Sequence, residues 1–462
     1  MKRLRLTAWA LAPVAVLIAS PSASAQVAAR MDQAISASAE DQSFMGAALV
    51  AIGDDILLDK AYGSANLEWD IANSTDTKFR IGSVTKQFTA AAILMLQERG
   101  KLDIDDKVNS YRTDAPDSWS AITLRHLLNH TSGIPNVTDF DDFGKWKYLP
   151  TTRDEMIARF AGSELEFAPG EKWSYSNSGY LLLTAVVEEV SGQSYSDFVE
   201  QNIFTPLAMD NTAIDLTAQI VPKRASGYSP SSSGPLNADY VDMSIPSGAG
   251  ALYSTTEDLL KWQRGLFGGK VLKPETVALM TDPAVDAMPG SSYAMGLIVT
   301  EDEDGRLIWH GGGIEGFNAF LAHDPERDIT VAVLANINGG AANRLGQSLV
   351  KLARGGNIEL ASERTEITVD PDSLREYEGT YALSPSFVLK FWVEGDQLMT
   401  QASNQSAFPV FAQGSDEFFL KVVDAKLFFV RDATGEIISV TLQQDGLLWK
   451  PLKNEVIARA TS

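Results

Sequence analysis

The segment FRIGSVTKQFTAA, residues 79–91, places a hydroxyl and an amine one helical turn apart. Ser83 follows a glycine, and Lys86 comes three residues later, just before a long apolar run. Residues i and i+3 share one face of a helix, so the amine can reach the hydroxyl. Because Phe88–Leu96 is apolar nearly all round, the helix is predicted to be central and Lys86 to be partly desolvated. Desolvation and the helix dipole both disfavour the ammonium form, which favours a proton-accepting lysine beside a nucleophilic serine.

The alternative for this segment is that Ser83 only caps the helix. A second Ser-x-x-Lys, Ser348 and Lys351, indicates how little the spacing means by itself. It lies in the amphipathic run RLGQSLVKLARG, where the serine is predicted to face solvent or to bond back to the preceding turn. A catalytic role for Ser83 therefore depends on partners elsewhere in the chain.

Two further motifs could supply such partners. Tyr175 and Asn177 form the only Tyr-x-Asn of the chain, and His310 and Gly312 form its only His-x-Gly, on a predicted strand. A phenol beside a lysine can relay protons, and an asparagine can hold both the lysine and a substrate amide. A glycine-rich strand edge exposes backbone N–H groups to a carbonyl oxygen.

In this order, the three motifs resemble those of the penicillin-recognising serine hydrolases. That family includes class C β-lactamases, D-Ala-D-Ala carboxypeptidases, and related esterases and D-aminopeptidases. The segments LRHLLNHTSGIP and FAPGEKWSYSNSGY also look like this family, and the resemblance covers about residues 31–355.

The resemblance implies a role for each motif residue. Ser83 would attack a carbonyl carbon and become acylated. Lys86 and Tyr175 would share general-base and general-acid duty as a coupled pair, and the base of each step is left open. Asn177 would position the lysine and the substrate.

The third motif is expected to hold the substrate carbonyl and its neighbours. The backbone N–H groups of Ser83 and Gly313 would form the oxyanion hole, and His310 and Gly312 would bind substrate. β-Lactamases of the family usually carry Lys-Thr-Gly or Lys-Ser-Gly here, whereas this chain has His310 and Gly311, which offer neither a fixed cation nor a hydroxyl. Esters or D-amino-acid peptides are therefore the favoured substrates. A β-lactamase, a penicillin-binding protein and an acylated sensor without turnover are the alternatives.

The predicted fold class is α+β and β-lactamase-like. The pattern of segment 46–63 predicts two strands joined by a Gly-Asp-Asp turn, and patterns typical of strands return after Tyr293. The chain between about 103 and 246 is mainly helical. This order predicts an antiparallel sheet flanked by helices, with a helical subdomain inserted between its strands.

A small antiparallel β-barrel is predicted to follow the sheet domain. About eight short strands fit before Leu452, and Ile438, Val440 and Leu442 are predicted to share one face of a strand. The segment YEGTY looks like the lipocalin-like domain that some family members carry. The predicted units are a hydrolase domain at 26–356, a linker at 357–372 and a lipocalin-like barrel at 373–462.

Residues 1–25 are predicted to be a signal peptide. A basic start precedes an apolar run, which is followed by the small residues Ala23, Ser24 and Ala25. Signal peptidase favours such residues before its cleavage site, so cleavage is expected after Ala25. The alternative is an uncleaved membrane anchor, for which the apolar run is short. The expected location is periplasmic or secreted.

Composition limits the partners of this protein. The formal net charge of −22 argues against nucleic acid and anionic membrane surfaces. The absence of cysteine excludes thiol nucleophiles and cysteine metal sites. His126 and His130 stand at i and i+4, but a structural helix with a capping role is favoured over a metal site. No cofactor or metal is predicted; the expected partner is a small-molecule or peptide substrate, and the oligomeric state is not predicted.

Overall fold

The computed structural model describes residues 23–40, 42–231, 233–282, 285–288, 290–360, 363–384, 387–403, 407–421, 425–444 and 447–449. Most of the predicted signal peptide lies outside these ranges, and residues 23–25 begin the first helix. Among the described helices, none combines the length and the apolar character that a membrane span requires.

The strands follow one another along the chain as β1 (Gly46–Ile52), β2 (Asp55–Tyr62), β3 (Ser64–Asn66), β4 (Ile71–Ala72), β5 (Phe79–Arg80), β6 (Ala213–Ile214), β7 (Tyr228–Ser229), β8 (Leu236–Asn237), β9 (Leu252–Ser254), β10 (Val285–Met288), β11 (Ser291–Tyr293), β12 (Ile298–Asp302), β13 (Gly305–Ile314), β14 (Phe317–Asp324), β15 (Ile329–Ala335), β16 (Gly379–Ser384), β17 (Phe387–Glu394), β18 (Gln397–Ala402), β19 (Ala407–Ala412), β20 (Glu417–Leu420), β21 (Ala425–Arg431), β22 (Ile437–Gln444) and β23 (Leu447–Trp449).

The α-helices are α1 (Ala23–Glu40), α2 (Thr85–Glu98), α3 (Leu124–Leu128), α4 (Phe143–Trp146), α5 (Arg153–Ala161), α6 (Asn177–Ser191), α7 (Tyr195–Val199), α8 (Thr205–Leu207), α9 (Ser247–Gly250), α10 (Thr256–Phe267), α11 (Pro274–Thr281), α12 (Ala341–Ala353) and α13 (Pro371–Leu374).

The main sheet is antiparallel and has the strand order β10-β11-β12-β13-β14-β15-β1-β2. The chain leaves this sheet after β2 and returns at β10, so the mostly helical segment between them is an insertion. Helices α1 and α12 cover one face through a core that includes Ile35, Val331 and Leu349. Helices α2 and α10 belong to the larger core on the other face. Every residue of β15 is buried, as expected for a strand covered on both faces. The predicted β-lactamase-like α+β fold is confirmed.

Helix α2 is the central helix, and it packs against α6 and α9. Twelve consecutive residues, Thr85 to Leu96, are buried. The alanine run 90–92 lets neighbouring elements approach closely, because its side chains end at Cβ. The helix ends at Glu98, and Gly100 follows in the left-handed conformation that favours glycine at this position.

The second domain is a nearly closed antiparallel barrel in which each strand from β16 to β23 pairs with the next. Strand β16 also contacts β22, which brings the first strand back to the seventh. Aromatic rings fill the interior. Phe429 contacts Tyr377, Phe391 and Phe418 in edge-to-face arrangements, with ring centroids 4.8–5.5 Å apart. The predicted small antiparallel barrel is confirmed.

One detail of the predicted barrel is wrong. Ile438 does not share the inner face with Val440 and Leu442: it is 47% exposed, and Ile437 is buried instead. The pairing of β21 with β22 shifts between Val430 and the next residue, which is a β-bulge. A bulge adds one residue to one strand and reverses the alternation beyond it, so the period-two pattern cannot be extended across it.

Ion pairs hold the segment between the two domains. Arg30 of α1 pairs with Glu363, and its guanidinium also donates to the carbonyl oxygen of Ile358. On the barrel side, Lys426 pairs with Glu359. Such partly exposed pairs each contribute at most about 1 kcal/mol, so they orient the segment more than they stabilise the fold.

The packing of α12 on the sheet generates a stability prediction. A Cβ atom built at Gly346 would lie 2.1 Å from Cδ1 of the buried Phe320 ring. Gly346→Ala should therefore lower the free energy of unfolding, because overpacking costs about 1–3 kcal/mol while the helix gains only about 1 kcal/mol from alanine. Urea unfolding measures the change.

The matched control is Gly144→Ala, in helix α4, where an added Cβ meets nothing within 4 Å. This variant should unfold at the same urea concentration as the wild type or a higher one. Equal stability of the two variants would contradict the close packing of α12 on β14.

Candidate functional site

Ser83 lies in a 3-10 turn, Gly82–Val84, between β5 and α2. This turn lies against strand β13 without room for side chains between the two. A Cβ at Gly82 would come within 2.8 Å of the Gly313 nitrogen, and a Cβ at Gly312 would come within 1.9 Å of the carbonyl oxygen of Ile81. Gly82 also has a positive φ of 50°. Glycine at these positions brings the backbone of Gly313 next to Ser83.

The Lys86 amine is completely buried and has three close polar neighbours. Its Nζ lies 2.8 Å from Oδ1 of Asn177, 2.8 Å from the carbonyl oxygen of Ala249 and 3.1 Å from Oγ of Ser83. Two of these neighbours can only accept hydrogen bonds, whereas the hydroxyl can also donate. A neutral amine has two N–H groups and one lone pair, so it can donate to both carbonyl oxygens and keep the lone pair for the Ser83 hydroxyl.

Burial lowers the pKa of Lys86 well below its ordinary value, because no water solvates the ammonium form. The aromatic rings of Tyr175 and Tyr180 lie 4.8 and 5.4 Å from Nζ and favour the cation. A cation–π contact contributes about 1–2 kcal/mol, which is less than the several kcal/mol of removing an ammonium from water. The neutral amine is therefore the form that the site favours.

Tyr175 lies on the other side of the nucleophile, where its phenol donates a hydrogen bond of 2.8 Å to Ser83 Oγ. Burial raises the pKa of this phenol, so it stays protonated at neutral pH. Ser83 Oγ thus has a phenol donor and a lysine lone pair as its two neighbours. Lys86 is three residues from Ser83 in sequence, whereas Tyr175 is 92 residues away and is brought to the serine by the fold.

Asn177 is the first residue of α6, which positions its amide between the lysine and a neighbouring loop. Its Oδ1 accepts from Lys86, and its Nδ2 donates to Oγ1 of Thr138 over 3.2 Å. The backbone N–H of Asn177 donates to Asn136. The amide therefore has protein partners on both sides.

The His310 side chain is buried behind Tyr175. Its Nδ1 lies 2.5 Å from the carbonyl oxygen of Gly311, and its Nε2 lies 3.0 Å from the hydroxyl of Tyr293. Burial lowers the pKa of His310 to about 4, so the ring is neutral at physiological pH. With the proton on Nδ1, the ring donates to Gly311 and accepts from Tyr293. Gly313, the residue after the third motif, lines a cavity beside Ser83. The His310 ring instead packs against that of Tyr175, with ring centroids 6.4 Å apart.

A cavity of about 220 Å³ opens beside Ser83. Its wall is mainly apolar, and its polar contributions come from Ser83, Asn177 and Thr138 and from Glu315 in the turn after β13. The residues that line it include Ser83, Phe143, Leu181, Ile245, Gly313 and Glu315. A substrate carbonyl in this cavity would lie between the hydroxyl of Ser83 and the backbone of Gly313.

His130 lies beside the site in a role that the sequence patterns did not predict; they marked it only, with His126, for a capping role or a metal site. Its ring lies 4.4 Å from that of Tyr175, and its Nδ1 accepts from the backbone N–H of Ser176. Its carbonyl oxygen accepts from the N–H of Ser174. Burial lowers the pKa of His130 well below its ordinary value, so the ring is neutral, with its proton on Nε2 because Nδ1 accepts a hydrogen bond. His130 therefore accepts hydrogen bonds from the residues directly before and after Tyr175, which fixes the backbone on both sides of this tyrosine.

The two other features considered from sequence have structural roles. His126 completes a capping box at the start of α3, where its Nδ1 accepts from the N–H of Thr123. No cluster of potential metal ligands occurs among the described residues. Ser348 lies half-buried in the interior of α12, and Lys351 is exposed there.

Comparison with known proteins agrees with the family resemblance of the sequence motifs. The family model described as Beta-lactamase matches residues 31–354, and a model described as Domain of unknown function (DUF3471) matches residues 363–455. The first match alone covers more than half of the chain. The chain belongs to the beta-lactamase family. Its members with this fold are serine hydrolases, and they include penicillin-binding proteins.

Relatives match over most of the chain. Penicillin-binding protein 4* of Bacillus subtilis is 26% identical over 434 residues, which cover 88% of this chain and 94% of the relative. The octameric penicillin-binding protein homologue of Pyrococcus abyssi is 26% identical, with a TM-score of 0.65 over 90% of this chain and 97% of its own. A D-stereospecific amidohydrolase of Streptomyces sp. is 28% identical, with a TM-score of 0.59 over 69% and 95%.

The position of His130 generates a prediction about Ser83 reactivity. His130→Leu should lower the rate at which a fluorophosphonate labels Ser83 by about a hundredfold, because a misplaced Tyr175 no longer aligns the hydroxyl. His130→Asn should retain more of that rate. Asparagine tolerates the positive φ of 61° at this position and offers an oxygen to the N–H of Ser176.

Thermal unfolding of both variants separates positioning from loss of structure. A positioning role predicts that the two variants differ more in labelling rate than their stabilities explain. Equal labelling rates for the wild type and His130→Leu would contradict the role of His130.

Proposed function

We propose that this protein hydrolyses esters or D-amino-acid peptides through an acyl-enzyme on Ser83. The observation that carries the proposal is the environment of the Lys86 amine. Two carbonyl oxygens lie 2.8 Å from Nζ, the Ser83 hydroxyl lies 3.1 Å away, and burial lowers the pKa of the amine. In the neutral amine the two N–H groups bind the carbonyl oxygens, which leaves the lone pair for the hydroxyl. A base that is already deprotonated at neutral pH is what an unactivated serine requires.

In the acylation step, the proton of Ser83 Oγ moves to Lys86 Nζ while Oγ attacks the carbonyl carbon. The carbonyl oxygen becomes an oxyanion between the backbone N–H groups of Ser83 and Gly313. Tyr175 donates its phenolic proton to the leaving group and regains a proton from the Lys86 ammonium. The leaving group departs with that proton, and Ser83 carries the acyl group.

Hydrolysis of the acyl-enzyme reverses these roles. Water takes the place of the leaving group and gives a proton to the neutral Lys86–Tyr175 pair as it attacks the acyl carbon. The tetrahedral intermediate then collapses, and Ser83 Oγ recovers its proton. Asn177 keeps the lysine in place throughout, and His310 and Gly312 support the strand that carries the oxyanion site.

The cavity wall supports esters and peptides without an anionic acyl group over β-lactams. The third motif carries a buried neutral imidazole and glycines, so it offers no cation to a substrate carboxylate. Apolar side chains such as Phe143, Leu181 and Ile245 line the opposite wall. An acyl group with apolar substituents is a better match than an anionic one.

The predicted organisation is part of the proposal. Residues 1–25 would direct export to the periplasm or the exterior, with cleavage after Ala25. The units would be 26–356 for the hydrolase, 357–372 for the linker and 373–462 for a lipocalin-like barrel. The family relationship to penicillin-binding proteins supports an extracytoplasmic location.

The test is the hydrolysis of p-nitrophenyl butyrate. Ser83→Ala should lower kcat/KM by at least about a thousandfold, because the residue that forms the acyl-enzyme is gone. Ser348→Ala, the serine of the other Ser-x-x-Lys, should retain activity within about twofold, as expected for a substitution away from the site.

Mass spectrometry of the reacting wild type distinguishes the alternatives. A transient acyl adduct on Ser83 during turnover supports the proposal. A stable adduct without turnover would indicate a sensor instead, and rapid hydrolysis of a chromogenic cephalosporin would indicate a β-lactamase. Full activity of Ser83→Ala would overturn the acyl-enzyme itself.

A further inference from the structure

The cavity beside Ser83 carries one charged group among its described lining residues, the carboxylate of Glu315. Its side chain is 22% exposed, so little water screens its charge. Lys147 donates to Oε1 of Glu315 over 2.9 Å. Among the described residues, no second donor binds this carboxylate, so Oε2 is available to a ligand.

The charges around Glu315 do not cancel. Lys147 Nζ also lies 2.7 Å from Oδ2 of Asp239, which accepts from the hydroxyl of Tyr148 as well. The two carboxylates hold the pKa of Lys147 above its ordinary value, so it stays an ammonium. One ammonium and two carboxylates leave a net charge of −1 at the cavity mouth. Asp239 is 56% exposed and screened by water, so the cavity itself senses chiefly Glu315.

The chain connection keeps this charge near the reacting carbonyl. Glu315 lies in the turn that follows β13, two residues after Gly313, and both residues line the cavity. Two residues span at most about 7 Å along the chain. A carbonyl oxygen bound at the Gly313 N–H therefore leaves room for one or two bonded atoms and an ion-pair contact before Glu315 is reached. An amino group on the carbon next to the acyl carbonyl has that reach.

We propose that Glu315 binds the ammonium of an acyl group that carries a free amino group next to its carbonyl. This inference rests on the proposed acyl-enzyme function and names its substrate class. A neutral acyl group gains nothing from Glu315, and a carboxylate at the same position meets like charge. Lys147 holds the Glu315 side chain in place while leaving Oε2 free.

The experiment compares three p-nitroanilides that share the D-alanyl residue and differ in the substituent, and hence the charge, at its amino nitrogen. They are D-alanine p-nitroanilide, with a free ammonium, its neutral N-acetyl form, and its N-succinyl form, which adds a carboxylate. The variants are wild type, Glu315→Gln and, as matched control, Glu326→Gln on the surface turn after β14, where the side chain is 60% exposed.

The wild type should have its highest kcat/KM on the free-amino compound and its lowest on the succinyl compound. Glu315→Gln should lose at least about tenfold on the free-amino compound, the factor that 1.4 kcal/mol represents, and stay within about twofold on the N-acetyl compound. Glu326→Gln should match the wild type on all three.

An equal change on the free-amino and N-acetyl compounds, or no change on either, overturns the ammonium site. Ser83-dependent hydrolysis of the N-acetyl compound in preference to the free-amino one also overturns it, while the acyl-enzyme proposal stands. Hydrolysis by the wild type that Ser83→Ala retains overturns the acyl-enzyme proposal, and with it this inference.

Discussion

The structure depends on the burial of one amine. The pKa of Lys86 is lowered well below its ordinary value because helix α2 is enclosed on every side, and that enclosure requires the sheet, helix α6 and helix α9 to be in place. The free energy of keeping water away from this amine comes from the large apolar core around it. Fold stability and chemical competence are therefore linked through one side chain.

The same enclosure fixes the direction of the lone pair. Asn177 and the Ala249 carbonyl oxygen come from helices that lie far from Lys86 in sequence, and each takes one N–H group. Gly82 and Gly312 allow the strand edge to touch the turn that carries Ser83. Backbone approach and side-chain hydrogen bonding thus position the nucleophile, its base and the nearby Gly313 backbone without any metal-ligand cluster in the described part of the chain.

Much of this could be predicted from the sequence because the information is local. Period-two strands, glycine stops and the Ser-x-x-Lys motif each lie within a few residues, and the resemblance connected the motifs to each other. The bulge beside Ile438 could not be predicted, since it depends on the partner strand. Nor could the roles of His130 and Glu315, because their partners are 46 and 168 residues away. The i, i+4 spacing of His126 and His130 indicated only a capping role or a metal site.

The titration of Lys86 tests the central claim most directly. Lysine labelled isotopically at Cε, with Lys86→Met to assign the resonance, gives the charge state of each amine by NMR across a pH series. The account predicts that Lys86 is neutral at neutral pH and gains its proton only as the pH falls, with a pKa well below the ordinary 10.5. Loss of Ser83 reactivity on acidification should follow the same titration. A Lys86 resonance that titrates near 10.5 with the surface lysines would contradict the account.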